Sequence, residues 1–86
     1  MNGLAALADP TRQRIVEMLA SGALSSGEIA SRFDLSAPAV SQHLKTLKTA
    51  RLVRVHAEKQ KRIYELNQEG VEELVYTTGG GMARDS

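Results

Sequence analysis

Apolar residues recur along the chain with two periods, and the change between them divides it. Ile15, Met18 and Leu19 follow helical spacing after Asp9-Pro10, where Asp serves as a cap and Pro fits the first turn; Ser21-Gly22 supplies the stop. Before it, Leu4 to Ala8 reads as a short apolar helical segment with nothing nearby to cover it. Ser25-Ser26-Gly27-Glu28 has the form of a capping box, with Leu24 and Ile29 placed as a hydrophobic staple. Ile29, Ala30 and Phe33 then predict the buried face of a helix barely two turns long, ended by Asp34, a residue type that tolerates the left-handed conformation better than most. Only Leu35 intervenes before Ser36, which caps a helix running to about Ala50. Beyond it the period falls to 2, with Leu52, Arg54 and His56 facing one way and Val53, Val55 and Ala57 the other. Ile63, Tyr64 and Leu66 predict a second strand, and residues 58–62 a polar turn between the two. Asn67 caps a last helix in which Val71, Leu74 and Val75 are apolar and Glu69, Glu72 and Glu73 solvated. The expected fold is mainly α with a β-hairpin (α+β), organised as one domain over 1–76 and a flexible tail over 77–86 that begins near Gly79-Gly80-Gly81.

Composition narrows the classes. The 86 residues contain no Cys, which excludes a disulfide framework, a thiolate metal site and a Cys nucleophile. No apolar run approaches the roughly 20 residues of a membrane span, and Met1-Asn2-Gly3-Leu4 lacks a signal peptide's basic region. The expected location is the cytoplasm. A chain this short buries a small share of its surface, and dimerisation is one way to compensate. The net charge of +1 conceals a segregation of signs. Between Ser41 and Arg62 stand seven basic residues and one acidic, a balance of +6, and the remainder carries −5. A basic block inside an acidic chain is an electrostatic footprint for a polyanion.

Two helices joined by a short turn, the second entering the basic block, form the pattern of a helix-turn-helix. At about 100° per residue, Val40, Leu44 and Leu47 point to the core. Pro38, Gln42, Lys45, Thr46 and Thr49 occupy the opposite arc, with Ser41 and Lys48 on one flank and His43 on the other. Such a face suits a major groove, where hydroxyl and amide groups meet base edges and lysines meet phosphates. The hairpin that follows reads as a wing, with Lys59, Lys61 and Arg62 at or beside its tip.

The chain carries Ala-Leu-Ala-Asp-Pro-Thr-Arg (6–12), Glu-Ile-Ala (28–30), Leu-Ser-x-x-x-Val-Ser-x-His-Leu-Lys-x-Leu (35–47), Leu-Val (52–53) and Ile-Tyr-x-Leu (63–66). Through these motifs, residues from about Leu7 to Leu74 resemble the ArsR/SmtB family of bacterial winged helix-turn-helix repressors. The resemblance implies a homodimer that binds palindromic operator DNA and represses. It implies an interface of the first and last helices, covering Leu4, Leu7, Val71, Leu74 and Val75. It also implies base contacts near Pro38, Ser41 and Gln42, with Lys45 and the wing on phosphates; Ser36, His43, Thr46 and Lys48 complete the candidate set. Three departures stand out. The positions where many members carry metal ligands read Ser25-Ser26-Gly27-Glu28 and Glu69-Gly70-Val71-Glu72-Glu73, which disfavours metal sensing at either. The wing turn lacks its usual glycine and is expected to be longer or looser. Ala37 and Pro38 replace polar residues at the start of the recognition helix, so its first contacts are open to apolar partners such as a thymine methyl group.

No arrangement of nucleophile, base and orienting group is visible around Ser41, and neither His43 nor His56 has a carboxylate or thiolate at ligand spacing. The sequence therefore predicts neither an enzyme, a metal site nor a cofactor. The competing reading is a winged-helix module whose basic face docks an acidic protein. A small-molecule effector, an atypical metal site or no ligand at all remain as alternatives for regulation.

Overall fold

A computed structural model describes residues 3–75; the side chain of Val75 and the tail expected over 77–86 lie outside the described residues. In chain order the elements are α1 (Gly3–Ala6), α2 (Pro10–Leu19), β1 (Leu24–Ser25), α3 (Ser26–Ala30), α4 (Ala37–Thr49), β2 (Val53–Glu58), β3 (Lys61–Leu66) and α5 (Gln68–Val75). Local chemistry explains the starts. The Asp9 carboxylate accepts the Arg12 N–H at 3.1 Å, and this bond, helped by the nearby charges of His43 and Arg12, holds its pKa below the usual range. At α3 the capping box is complete: Ser25 Oγ accepts from the Glu28 N–H at 3.1 Å, and the Glu28 carboxylate accepts from the Ser25 N–H at 2.8 Å. Ser36 caps α4 by accepting the Ala39 N–H at 3.3 Å.

The apolar faces meet in one core of Ala6, Ile15, Leu19, Ile29, Val40, Leu44, Leu47, Leu52 and Val53. The segment expected to lie uncovered at the N-terminus instead delivers Ala6 into that core, completely buried, while α1 rests on α5 and α4. Leu52 and Val53 are both buried, so the alternation expected from Leu52 begins only at Val53. The reason is the end of α4. Arg51 takes a left-handed φ of 65°, its N–H bonds the Lys48 carbonyl at 2.9 Å, and the Leu52 N–H bonds the Leu47 carbonyl at 3.0 Å. These two bonds are a Schellman motif, which turns Leu52 onto the core before the strand starts. A side chain in this conformation costs roughly 1–2 kcal/mol that glycine does not. Arg51→Gly should therefore raise unfolding free energy by roughly 0.5–1 kcal/mol in urea titration, after the entropy that glycine returns to the unfolded chain. A loss of stability would mean that the Arg51 side chain contributes more than its backbone costs.

Three expectations are corrected. The helix-turn-helix connection is the six residues 31–36, and Asp34 is not left-handed: α3 ends at Ala30 with Ser31 as its cap. The sheet has three strands in the order β1-β3-β2, because Leu24 and Ser25 pair with Tyr64 and Ile63. The wing turn is tight rather than loose. Pairing runs from Val53↔Leu66 to Glu58↔Lys61, leaving only Lys59 and Gln60 to reverse the chain, with Lys59 at φ 59° in place of a glycine.

At the C-terminal side, the Asn67 carbonyl accepts the Val71 N–H at 3.0 Å, but its side-chain amide donates to the Arg51 carbonyl at 2.8 Å. The residue expected to cap α5 with its side chain thus ties the helix start to the end of α4. Gly70 makes the approach possible. It is buried, and a Cβ there would collide with the Arg51 carbonyl oxygen. No helix among the described residues is long and apolar enough to cross a membrane.

Candidate nucleic-acid interface

The two faces of α4 separate cleanly. Val40, Leu44 and Leu47 are buried, whereas Ser36, Ala37, Pro38, Ser41, Gln42, Lys45, Lys48 and Thr49 are exposed. Thr46 is half-buried and shares a shallow groove with Gln42, Lys45 and Thr49. This is the arc the helical period predicted, now seen as continuous surface.

His43 is placed differently from its neighbours. Its side chain is 22% exposed and turns toward the start of α2, with Nδ1 3.3 Å from Arg12 Nη1 and 3.8 Å from the Asp9 carboxylate. Arginine has no acceptor, so the closer contact is a hydrogen bond only when Nδ1 is unprotonated and accepts. Arg12 also donates from Nε to the Ala6 carbonyl at 2.5 Å, and Gln13 donates its side-chain amide to the Leu7 carbonyl at 2.6 Å. The Asp9-Pro10-Thr11-Arg12 stretch therefore clamps the end of α1, the start of α2 and the middle of α4 together. Sequence reasoning missed this role for Arg12, because its partner lies 31 positions away and no local pattern joins them.

In the wing, Lys59 occupies the turn, and Lys61 and Arg62 open β3, all exposed. Lys61 lies near enough to α3 that its charge, after the two hydrogen bonds with Ser25, helps depress the Glu28 pKa. The basic block is less uniform in space than along the chain. Arg54 sits 3.5 Å from Glu65, and His56 stands 3.6 Å from Glu58 and 3.9 Å from Glu65. Arg51 shares a recess with Glu69, Glu72 and Glu73. Five of the seven cations, Lys45, Lys48, Lys59, Lys61 and Arg62, stand on α4 and the wing outside these pairings, although Lys59 and Lys61 share the wing tip with Glu58. Exposed ion pairs of this kind add little stability, but they do cancel local field.

Of the apolar residues assigned to an interface, Leu4, Leu7, Val71 and Leu74 gather where α1 meets α5. Leu4 is 54% exposed, and it borders a cleft with Gly3, Ala50, Arg51, Gly70, Glu73 and Leu74. Leu7, Val71 and Leu74 are partly buried against the core, with α1 in contact with α5. Among the described residues no group of three or more His, Cys, Asp and Glu is placed to hold a metal.

Known proteins resemble this chain in sequence and in fold. The model of the bacterial regulatory protein arsR family matches residues 9–55, from the α2 cap to the middle of β2. The chain is 54% identical over 69 residues to the HTH-type transcriptional regulator Rv2034 of Mycobacterium tuberculosis, covering 80% of this chain and 64% of that protein. It is 39% identical over 66 residues to the transcriptional repressor SdpR of Bacillus subtilis, covering 77% of this chain and 73% of the repressor. The crystal structure of a possible transcriptional regulator for arsenical resistance superimposes with a TM-score of 0.87 at 30% identity, covering 100% of this chain and 97% of that one.

Proposed function

The chain belongs to the arsR family of bacterial regulatory proteins, and from that premise we propose that it is a sequence-specific DNA-binding transcriptional regulator, a repressor that engages palindromic operator DNA as a homodimer. The observation that carries this reading is the division of α4 into a buried apolar face and an exposed face of amide, hydroxyl and ammonium groups, continued by the cations of the wing. Laid in a major groove, α4 brings Ser41 and Gln42 to base edges and Lys45, Thr46 and Lys48 to the flanking backbone. Lys59, Lys61 and Arg62 reach adjacent phosphates or the minor groove. His43, turned toward Arg12, holds the helix in place rather than reading a base.

The apolar end formed by Leu4, Leu7, Val71 and Leu74 supports the homodimer, since a second copy would cover Leu4 and set two recognition helices at successive grooves. The matching family is one of regulators, and no enzyme activity is proposed. The cytoplasm, where bacterial DNA lies, is the working location.

Side-chain roles separate in a fluorescence anisotropy titration on a duplex selected from a random-sequence pool. Gln42→Ala should narrow the gap between selected and scrambled duplexes by about 1–3 kcal/mol for each protomer of the dimer. Lys45→Ala, which removes one lysine from each protomer, should weaken both alike and reduce the steepness of the salt dependence by about two units in the log–log slope. The reverse pattern, with Lys45 governing discrimination, would reject this docking.

A further inference from the structure

We propose that the N-terminal edge of α4, formed by Leu35, Ala37 and Pro38, selects thymine through its C5-methyl group; the proposal rests on the DNA-binding reading above. Leu35 is 42% exposed, one of two large apolar side chains so exposed among the described residues, the other being Leu4 on α1. Ala37 and Pro38 beside it are also exposed. The one polar side chain of this edge, Ser36, caps the helix, its Oγ accepting the Ala39 N–H at 3.3 Å, which leaves a single hydroxyl proton to donate. From Leu35 to Val40 there is thus no amide, guanidinium or free carboxylate to pair with a base edge, and the first such group is the Gln42 amide beyond.

In a helix-turn-helix the N-terminal residues of the recognition helix are the ones set against base edges. An apolar side chain pressed on the N7 and O6 of guanine or the amino group of cytosine strips water from them and offers nothing in return. The thymine methyl is the one apolar feature of the major-groove edge. The alternative occupant of an exposed apolar edge, a hydrophobic protein partner, fits its surroundings less well. At about 100° per residue Pro38 lies on the same arc as Gln42 and Lys45, so the edge continues a cationic, amide-bearing face that matches a polyanion.

The test leaves the protein unchanged. A duplex retained by the full chain from a random-sequence pool is resynthesised with each thymine singly replaced by deoxyuridine, which removes only the methyl, and affinities are read by fluorescence anisotropy. Replacement at one or two positions in each half-site, the two sets a helical turn apart, should lower affinity about fourfold each, the ratio corresponding to roughly 0.8 kcal/mol per buried methyl group. Replacement elsewhere should have no effect. The double variant Leu35→Ser, Pro38→Ser, shown to be folded by circular dichroism, should bind thymine and deoxyuridine duplexes equally while keeping the salt dependence of the parent. Equal affinity of the parent protein for every deoxyuridine duplex would overturn the proposal while leaving DNA binding intact. Sensitivity that survives in the double variant would overturn it too, since the methyl would then be read by another part of the chain. Failure to retain any duplex would overturn the DNA-binding reading itself, and this proposal with it.

Discussion

Gly70→Ala should destabilise the domain by roughly 3 kcal/mol or more and displace α5 from the end of α4. Intrinsic propensity argues the other way, because Ala in a helix interior is favoured over Gly by about 0.8–1.0 kcal/mol. The surroundings decide the sign. The added Cβ would strike the Arg51 carbonyl oxygen, and that oxygen is backbone, held by the left-handed turn at Arg51 and by the Asn67 amide at 2.8 Å. No side-chain rotation relieves such a contact, so α5 must move, and it takes with it Val71 and Leu74, which pack on the core. In a domain of this size 3 kcal/mol lowers the midpoint of thermal unfolding by about 12–24 °C. Calorimetry showing an unchanged or raised midpoint would mean that α5 is not seated as described.

Arg12→Ala should cost about 2 kcal/mol and loosen α4 as well as the N-terminus. One guanidinium spans two elements, donating to the Ala6 carbonyl at 2.5 Å and to His43 Nδ1 at 3.3 Å. Ala6 is completely buried, so removing the donor leaves its carbonyl without this partner in a place water reaches poorly. The lost bonds also free the His43 ring on the helix that carries the candidate base-reading groups. The expected results are a thermal midpoint lower by about 8–16 °C and faster amide exchange at the start of α2 and around His43 in the middle of α4. Arg12→Lys should recover only part of this, because a single ammonium cannot reproduce a planar fork aimed at two acceptors. Full recovery with Lys would show that charge beside Asp9, rather than the two hydrogen bonds, is what matters.

These two residues mark where sequence reasoning reaches its limit. Features set by neighbours in the chain were legible: the Asp9 cap, the Ser25–Glu28 capping box, the Ser36 cap and the Val40, Leu44, Leu47 face all have short fixed spacings, and all are present. The winged arrangement followed from the change of period after α4. Features set by distant parts of the fold were not. Gly70 reads in sequence as a weak point in a helix, and only the approach of Arg51 gives it a purpose. β1 has two residues, too few to carry a period, and exists because β3 offers it a partner. The left-handed turns fall on Arg51 and Lys59, where sequence preference points to glycine or to residues such as Asp34. Charge shows the same limit from another side. The block of seven cations is continuous along the chain, yet folding sets Arg54 against Glu65 and Arg51 among the α5 glutamates.

The central claim is that the five remaining cations and the exposed arc of α4 bind duplex DNA, and its most direct test is affinity against salt. With about four phosphates neutralised by each protomer of a homodimer, log affinity for a selected duplex should fall against log salt with a slope on the order of −7. Binding that is absent for every duplex, or that is indifferent to salt, would contradict the account.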